Sequence, residues 1–329
     1  MKTTILCIVI TFIIQSTGYS QWYKLNPYFY QSVDFVDQNT GYLAGVGGVI
    51  RKTTDGGNTW NFQNTGTTTN LSSICFVNND TGFSVGPSNT LLKTTNGGEE
   101  WTAIHVNQNV SLRRCYFFDD STGFAVSYYN IIKTTDGGIS WITKFTGNQG
   151  LYDMKFLDQY SGYAVGDNGI ILRTNDGGES WIEQFFNVND NNFNSVSIID
   201  SLNCIAVGEK YYPEYAGIIF KTTDGGDSWF ELNSFLNRGF LSSFFIDNYI
   251  GVIGCSDGTI GRTTNGGTEW TFNNFGLANG VLEIDFVDSN NGFATGYNLF
   301  IRTTNAGETW FNPTDFPNEN FLKLSNCQF

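Results

Sequence analysis

Seven times along the chain the same turn recurs: a basic residue, Thr, Thr or Asn, Asp or Asn, Gly or Ala, then Gly, with a Trp three residues further on. The copies are Lys52–Gly57 with Trp60, Lys93–Gly98 with Trp101, Lys133–Gly138 with Trp141, Arg173–Gly178 with Trp181, Lys221–Gly226 with Trp229, Arg262–Gly267 with Trp270 and Arg302–Gly307 with Trp310. Successive tryptophans stand 41, 40, 40, 48, 41 and 40 residues apart. A period near 40 suits one four-stranded blade of a β-propeller, and the 48 marks a single insertion.

A second block lies upstream of each turn. An apolar residue sits six before a small one: Phe35/Gly41, Phe76/Gly82, Phe117/Gly123, Phe156/Gly162, Ile198/Cys204, Phe245/Gly251 and Phe286/Gly292. Each repeat therefore reads as strand A (Ser32 to Val36 in the first), a turn, strand B (Gly41 to Gly45), strand C (Val49 to Thr54), the Gly-Gly turn, and strand D from Trp60. The expected fold is all-β: a seven-bladed β-propeller of four-stranded antiparallel blades forming one domain over 21–329. Its repeats fall at about 32–66, 71–106, 112–146, 151–186, 193–233, 241–275 and 281–315.

The turn residues follow from backbone chemistry. Adjacent glycines reach positive φ, while the Thr hydroxyl and the side chains of Asp55, Asn96, Asp136, Asp176, Asp224, Asn265 and Asn305 satisfy turn amides that no strand reaches. The seven tryptophans are expected to pack between blades, as a blade alone cannot bury both sheet faces. Asp37, Asp119, Asp158, Asp200, Asp247 and Asp288, one per A–B turn, lack the dense run of ligands that calcium requires and read as turn caps. No metal or cofactor is expected. The basic residue before each turn is expected to pair with a local acid. Gln21–Leu25 resembles an isolated strand D, and 321–324 a surplus inner strand, so ring closure by a mixed blade is one possibility.

Residues 1–20 combine Lys2, an apolar run from Ile5 to Ile14, and Gly18 and Ser20 at the −3 and −1 positions before Gln21, the pattern of a cleaved secretory signal. A secreted or periplasmic chain starting near Gln21 is expected. The apolar run is too short to cross a bilayer. The formal net charge of −14 argues against nucleic acid as a partner, because phosphate binding needs a basic surface. Cys75, Cys115, Cys204, Cys255 and Cys327 are scattered through the chain without C-x-x-C spacing, so neither a zinc site nor a redox motif is expected.

The Thr-Thr-Asp-Gly-Gly-x-x-Trp turn, linked to a Gly-Phe/Tyr-Ala-Val-Gly strand, resembles the photosystem II assembly and stability factor family, within the broader group of bacterial-neuraminidase-repeat (Asp-box) proteins. The resemblance covers nearly all of 21–329. It implies a seven-bladed, non-enzymatic binding scaffold, which in plants and cyanobacteria assists photosystem II assembly at the thylakoid lumen. Sialidases share the Asp box but need three converging arginines. Outside the repeated basic position only Arg51, Arg113, Arg114 and Arg238 remain, and strict strand alternation sends Arg113 and Arg114 to opposite faces. Xyloglucan-type hydrolases of the group set two propellers across a cleft, an arrangement that one propeller of this length does not supply.

Strand polarity puts the A–B and Asp-box turns on one face and the B–C and D–A loops on the other. The first set is uniform and the second varies, so recognition is expected on the second. Its candidates are the fifth-repeat insertion Glu209–Tyr215, read as a B–C loop presenting Tyr211, Tyr212 and Tyr215; Tyr128, Tyr129 and Tyr297 in equivalent loops; and Arg113 and Arg114 at the channel mouth. Tyrosine rings offer flat apolar surface and a hydroxyl to protein hot spots or to glycans. The competing structural reading is that these tyrosines pack loops and the arginines pair with acids. No catalytic residue is expected; His105 has no triad partner by spacing. A protein partner is the first reading, and a glycan-binding or glycoside-hydrolase-type propeller the alternative.

Overall fold

The structure, a computed structural model, describes residues 29–106, 110–184, 191–275, 280–296 and 299–311. Blade 1 comprises strands Tyr30–Phe35, Gly41–Gly45, Ile50–Thr53 and Asn61–Gln63, running A to D outward from the centre. Blade 2 comprises Ser73–Phe76, Gly82–Gly86, Thr90–Thr94 and Thr102–Ala103; blade 3, Leu112–Phe117, Gly123–Ser127, Asn130–Thr134 and Ile142–Thr146. Blade 4 is Leu151–Phe156, Gly162–Gly166, Ile171–Thr174 and Ile182–Gln184; blade 5, Asn191–Ile198, Cys204–Lys210, Ala216–Thr222 and Phe230–Leu236. Blade 6 is Phe240–Phe245, Gly251–Cys255, Thr259–Thr263 and Thr271–Asn274; blade 7, Val281–Phe286, Gly292–Gly296 and Leu299–Thr303, with Phe311 bridging Arg302 where a fourth strand starts. All pairings are antiparallel between sequence neighbours. The expected seven-bladed, all-β propeller is what the chain forms. The leader, Gln21–Leu25, Tyr297 and 321–324 lie outside the described residues.

The ring closes at seven blades. Each apolar cluster joins two neighbouring blades, and one of them unites Tyr30, Val33, Phe35, Leu43 and Trp60 of blade 1 with Phe293 and Phe300 of blade 7. In every blade but the fifth, strand A contributes a phenylalanine to the contact. Phe35 stacks on Phe293 at 3.7 Å, Phe76 on Tyr42 at 3.6 Å and Phe117 on Phe83 at 3.5 Å, each pair uniting adjacent blades. The same rings meet the tryptophan of their own blade edge-on, as in Phe35/Trp60, Phe76/Trp101 and Phe117/Trp141. Such pairs add roughly 0.5–1.5 kcal/mol each beyond burial. The shared Gly at the start of strand B exists because of this ring: a Cβ at Gly123 would come within 2.3 Å of Phe117. In blade 5 the ring is replaced by Ile198 and the glycine by Cys204, a compensating pair.

Each Asp-box turn is held from three sides. In blade 3 the Thr134 hydroxyl donates to Asp136 Oδ1 and accepts from the Asp136 and Gly138 amides, and Asp136 Oδ1 accepts from the Ser140 amide. The first glycine of the turn donates to the A–B turn of its own blade, Gly137 to the Ser121 carbonyl and Gly56 to that of Asn39. Its own carbonyl is capped by the basic residue of the preceding blade: Lys52 to Gly97, Lys93 to Gly137, Lys133 to Gly177, Lys221 to Gly266, Arg262 to Ala306 and, closing the ring, Arg302 to Gly56. This corrects the expectation that these cations chiefly pair with local acids. A left-handed turn points a carbonyl at the neighbouring blade, where a long cationic side chain is the group that reaches it. Only Arg173 departs, taking Asp227 while the Tyr163 hydroxyl donates to the Gly225 carbonyl. The A–B turn aspartates cap as expected: Asp37 Oδ1 accepts from the Asn39 and Thr40 amides, and Asp119, Asp158, Asp200, Asp247 and Asp288 repeat the pattern.

Three substitutions test the turn. Thr134→Val leaves the Asp136 and Gly138 amides without their acceptor and is expected to cost ~1–3 kcal/mol in urea unfolding, whereas Ile139→Ser, at a site 72% exposed in the same turn, is expected to change stability by about 0.5 kcal/mol or less. Ala306 stands at φ 55° where the other copies carry glycine, so Ala306→Gly is expected to stabilise by ~1 kcal/mol. Destabilisation by Ala306→Gly would contradict this reading of the turn.

Candidate functional site

The uniform face is occupied by scaffold interactions. Its clefts, such as that between Lys133, Tyr160, Asp176 and Glu179, are floored by Asp-box residues of adjacent blades. Lys133 and Lys144 both reach Glu179 there at 2.6 Å.

On the opposite face the strand A register breaks. In six blades a β-bulge falls four residues before the repeated strand A Phe or Ile, at Gln31, Arg113, Tyr152, Asn194, Leu241 and Leu282. A bulge re-aims the extra side chain, so Arg113 does not follow the strict alternation expected of it. Its guanidinium lies between two rings, 4.7 Å from the Tyr128 centroid in the B–C loop of its own blade and 4.9 Å from Tyr152 at the matching bulge of blade 4. The Tyr128 hydroxyl donates to Asp167 Oδ2 at 2.9 Å, and Tyr152 donates to Oδ1 of the same carboxylate. Asp167 opens the short B–C turn Asp167–Gly169 of blade 4, and its amide donates to the Gly150 carbonyl. Gly150 must be glycine, since a Cβ would stand 2.4 Å from Asp167 Oδ2 and 2.8 Å from the Tyr128 ring. The hydrogen bond and charge of Asp167 raise the Tyr128 pKa; burial first, then Asp167, raises that of Tyr152. Both rings stay neutral and keep their hydroxyls pointed at the carboxylate.

Blade 5 extends this surface. Seven pairs join strands B and C, down to Gly208↔Ile218, Glu209↔Gly217 and Lys210↔Ala216, so the insertion lengthens a hairpin. Glu209 and Lys210, expected in the loop, belong to strand B, because the added residues complete further ladder pairs. The tip begins at Tyr211. Tyr211 and Tyr215 both donate to Glu209, at 2.6 and 2.9 Å, and Tyr215 also contacts Ser256 Oγ of blade 6 at 3.1 Å. Tyr212 is 75% exposed, Tyr211 57% and Tyr129 46%. The hydrogen bond to Glu209 first, then burial, raises the Tyr211 pKa.

Arg114 does not join this patch. It turns into the central channel and binds Glu283 of blade 7 at 3.0 Å, with Asp153 of blade 4 at 3.8 Å. Below it the channel wall holds Asp34, which accepts the Phe76 amide, and Asp285, which accepts the Phe35 amide across the ring closure. Burial and the neighbouring Asp285 carboxylate push Asp34 up to about 8; burial raises Asp285 to about 6 despite Lys155. His105 is exposed, just past strand D of blade 2. Of the expected patch, Arg113, Tyr128 and Tyr129 come together, with Tyr211, Tyr212 and Tyr215 on the adjoining hairpin. Tyr152, Asp167 and Glu209 were missed as functional partners, although Tyr152 holds in its repeat the place of Arg113, four residues before the strand A phenylalanine.

The fold and this site define a single Asp-box propeller with one scaffold face and one variable face. The family described as photosynthesis system II assembly factor YCF48 matches residues 19–113 and 144–274, and the chain belongs to it. Comparison with curated proteins finds no match. Among solved structures, "YCF48 bound to D1 peptide" superposes with a TM-score of 0.70 at 18% identity, covering 84% of this chain and 93% of that one. YCF48 from Cyanidioschyzon merolae gives 0.70 at 17%, covering 86% and 97%. The GH74 xyloglucanase from Xanthomonas campestris gives 0.68 at 12%, covering 87% of this chain but 54% of the enzyme. At these identities the likeness is one of fold.

Two pH effects follow with opposite signs. Asp34 and Asp285 hold their protons more tightly folded than unfolded, so their cost to the native state grows as pH rises from about 4 toward 8. Asp34→Asn, which keeps an acceptor for the Phe76 amide, is expected to raise the urea midpoint at pH 8 more than at pH 5; an equal effect at both would contradict the assignment. Asp136, Asp176 and Asp224, lowered to about 2 chiefly by serine hydroxyl donors, stabilise above the ordinary carboxylate range, and that stability is lost as pH falls from about 4 through 2.

Proposed function

We propose that this chain is a non-enzymatic secreted or periplasmic binding propeller that takes an extended segment of a protein partner across its B–C and D–A loop face, over Arg113. The observation that carries the reading is the Arg113 guanidinium held between Tyr128 and Tyr152, with both hydroxyls fixed by Asp167. A cation whose rings are already oriented loses little side-chain entropy on binding, and aromatic and arginine side chains are where interface energy concentrates. Tyr129, Tyr211 and Tyr212 extend the platform with exposed rings. A YCF48 solved with a D1 peptide supports a peptide-binding role for the family's propeller. Export follows from the leader pattern and the cleavage site near Ser20/Gln21.

A second reading, a glycan-binding propeller, draws on the same exposed tyrosine rings and on the fold shared with GH74 enzymes. The two separate in one experiment. The exported protein is applied to arrays of extended peptides and of glycans beside Arg113→Ala and a Tyr211→Ala/Tyr212→Ala variant. Peptide binding that falls roughly tenfold or more in Arg113→Ala is expected; binding to glycans alone, or peptide binding indifferent to both variants, contradicts the proposal. The mass of the exported protein is expected to place its first residue at Gln21.

A further inference from the structure

We infer that Cys75 and Cys115 form a disulfide that ties blade 2 to blade 3 at the channel wall. Their Sγ atoms stand 2.9 Å apart, less than 1 Å beyond the covalent distance of ~2.05 Å. The two strands that carry them are fixed against each other, not merely close. The Ser73 hydroxyl of blade 2 accepts the Cys115 amide of blade 3 at 3.3 Å, and the same relation one blade earlier gives the Ile74 amide to Ser32 Oγ at 3.1 Å. Phe83 and Phe117 stack beneath the pair at 3.5 Å. Closing the bond therefore requires side-chain adjustment and no movement of either strand. Cys204 and Cys255 are buried, and among the described residues neither makes a sulfur–sulfur contact.

The reaction is thiol–disulfide exchange with a disulfide oxidant of the glutathione or protein-dithiol class. Cys75 is the less buried residue of the two, and the first attack is assigned to it. Its thiolate attacks one sulfur of the oxidant and expels the other as a thiolate, leaving a mixed disulfide. Cys115 then attacks the Cys75 sulfur and releases the second thiol. The protein loses two electrons and two protons; the oxidant gains the electrons and leaves as two thiols. Burial raises the Cys75 pKa, so the thiolate is scarce at neutral pH and the rate is expected to climb as the solution is made alkaline.

The test uses the full chain, incubated with oxidised glutathione, alkylated in denaturant without reductant, digested and weighed. A peptide pair joining Cys75 to Cys115, abolished by reductant, is expected, together with a melting temperature several degrees above that of the reduced protein. Cys75→Ser, which alters the half-buried member, should fold, lose the cross-linked pair and show the same melting temperature in both conditions. Complete alkylation of both thiols in oxidised wild-type protein, or pairing of either with another cysteine, would overturn the inference.

Discussion

The carbonyl that a left-handed residue, glycine in all but blade 7, turns outward at each Asp box is the constraint on which the molecule depends. No group of its own blade is free to meet it, because the Thr and Asp side chains of the turn are already committed to amides. The preceding blade supplies a lysine or arginine, and in blade 5 a tyrosine hydroxyl. A lone blade would leave this acceptor without a partner and the rings of Phe35, Phe76 or Phe117 without their stacking partners. The repeat is therefore stable as a ring and not as a unit, and Arg302 reaching Gly56 is the same interaction that builds every other joint except that between blades 4 and 5, where the Tyr163 hydroxyl takes its place.

That requirement divides the faces. Where the Asp-box and A–B turns lie, aspartates, threonines and cations satisfy turn amides and carbonyls, and little variation is tolerated. The opposite face carries no such duty, and there the chain departs from its own repeat: an arginine at the shared bulge of blade 3, a tyrosine pair in the same blade, an Asp167 turn in blade 4, a lengthened hairpin in blade 5. The site is built by three blades, yet each contributes only a loop or a bulge of an otherwise regular sheet. Its rigidity comes from the scaffold and its chemistry from the exceptions.

The fold was legible because the Gly-Gly turn and its tryptophan recur with little change, and the Phe/Gly spacing located strands A and B. Turn capping by Asp37 and its equivalents was legible for the same reason. The partners of the repeated cations were not, since the carbonyl they cap belongs to the next repeat and only the ring brings it near. Nor was the separate fate of Arg113 and Arg114: alternation predicts opposite faces, while the bulge sends one to the loop face and the other across the channel to Glu283, 169 residues away in sequence. Nothing in the repeat singles out Asp167, because Tyr128 of the neighbouring blade and Tyr152 converge on it only in the folded ring. The Cys75 and Cys115 pair was hidden because strand A neighbours, one repeat apart, meet only in the closed ring.

Backbone hydrogen exchange of the protein, with and without a bound peptide segment, tests most directly the claim that recognition belongs to the loop face around Arg113. The account predicts slowed exchange at 112–113, 128–129, 150–152, 167–168 and 209–215, with the Asp-box turns unchanged. Protection centred on the turns at 55–57, 96–98 or 136–138, with the Arg113 cluster unaffected, would contradict it.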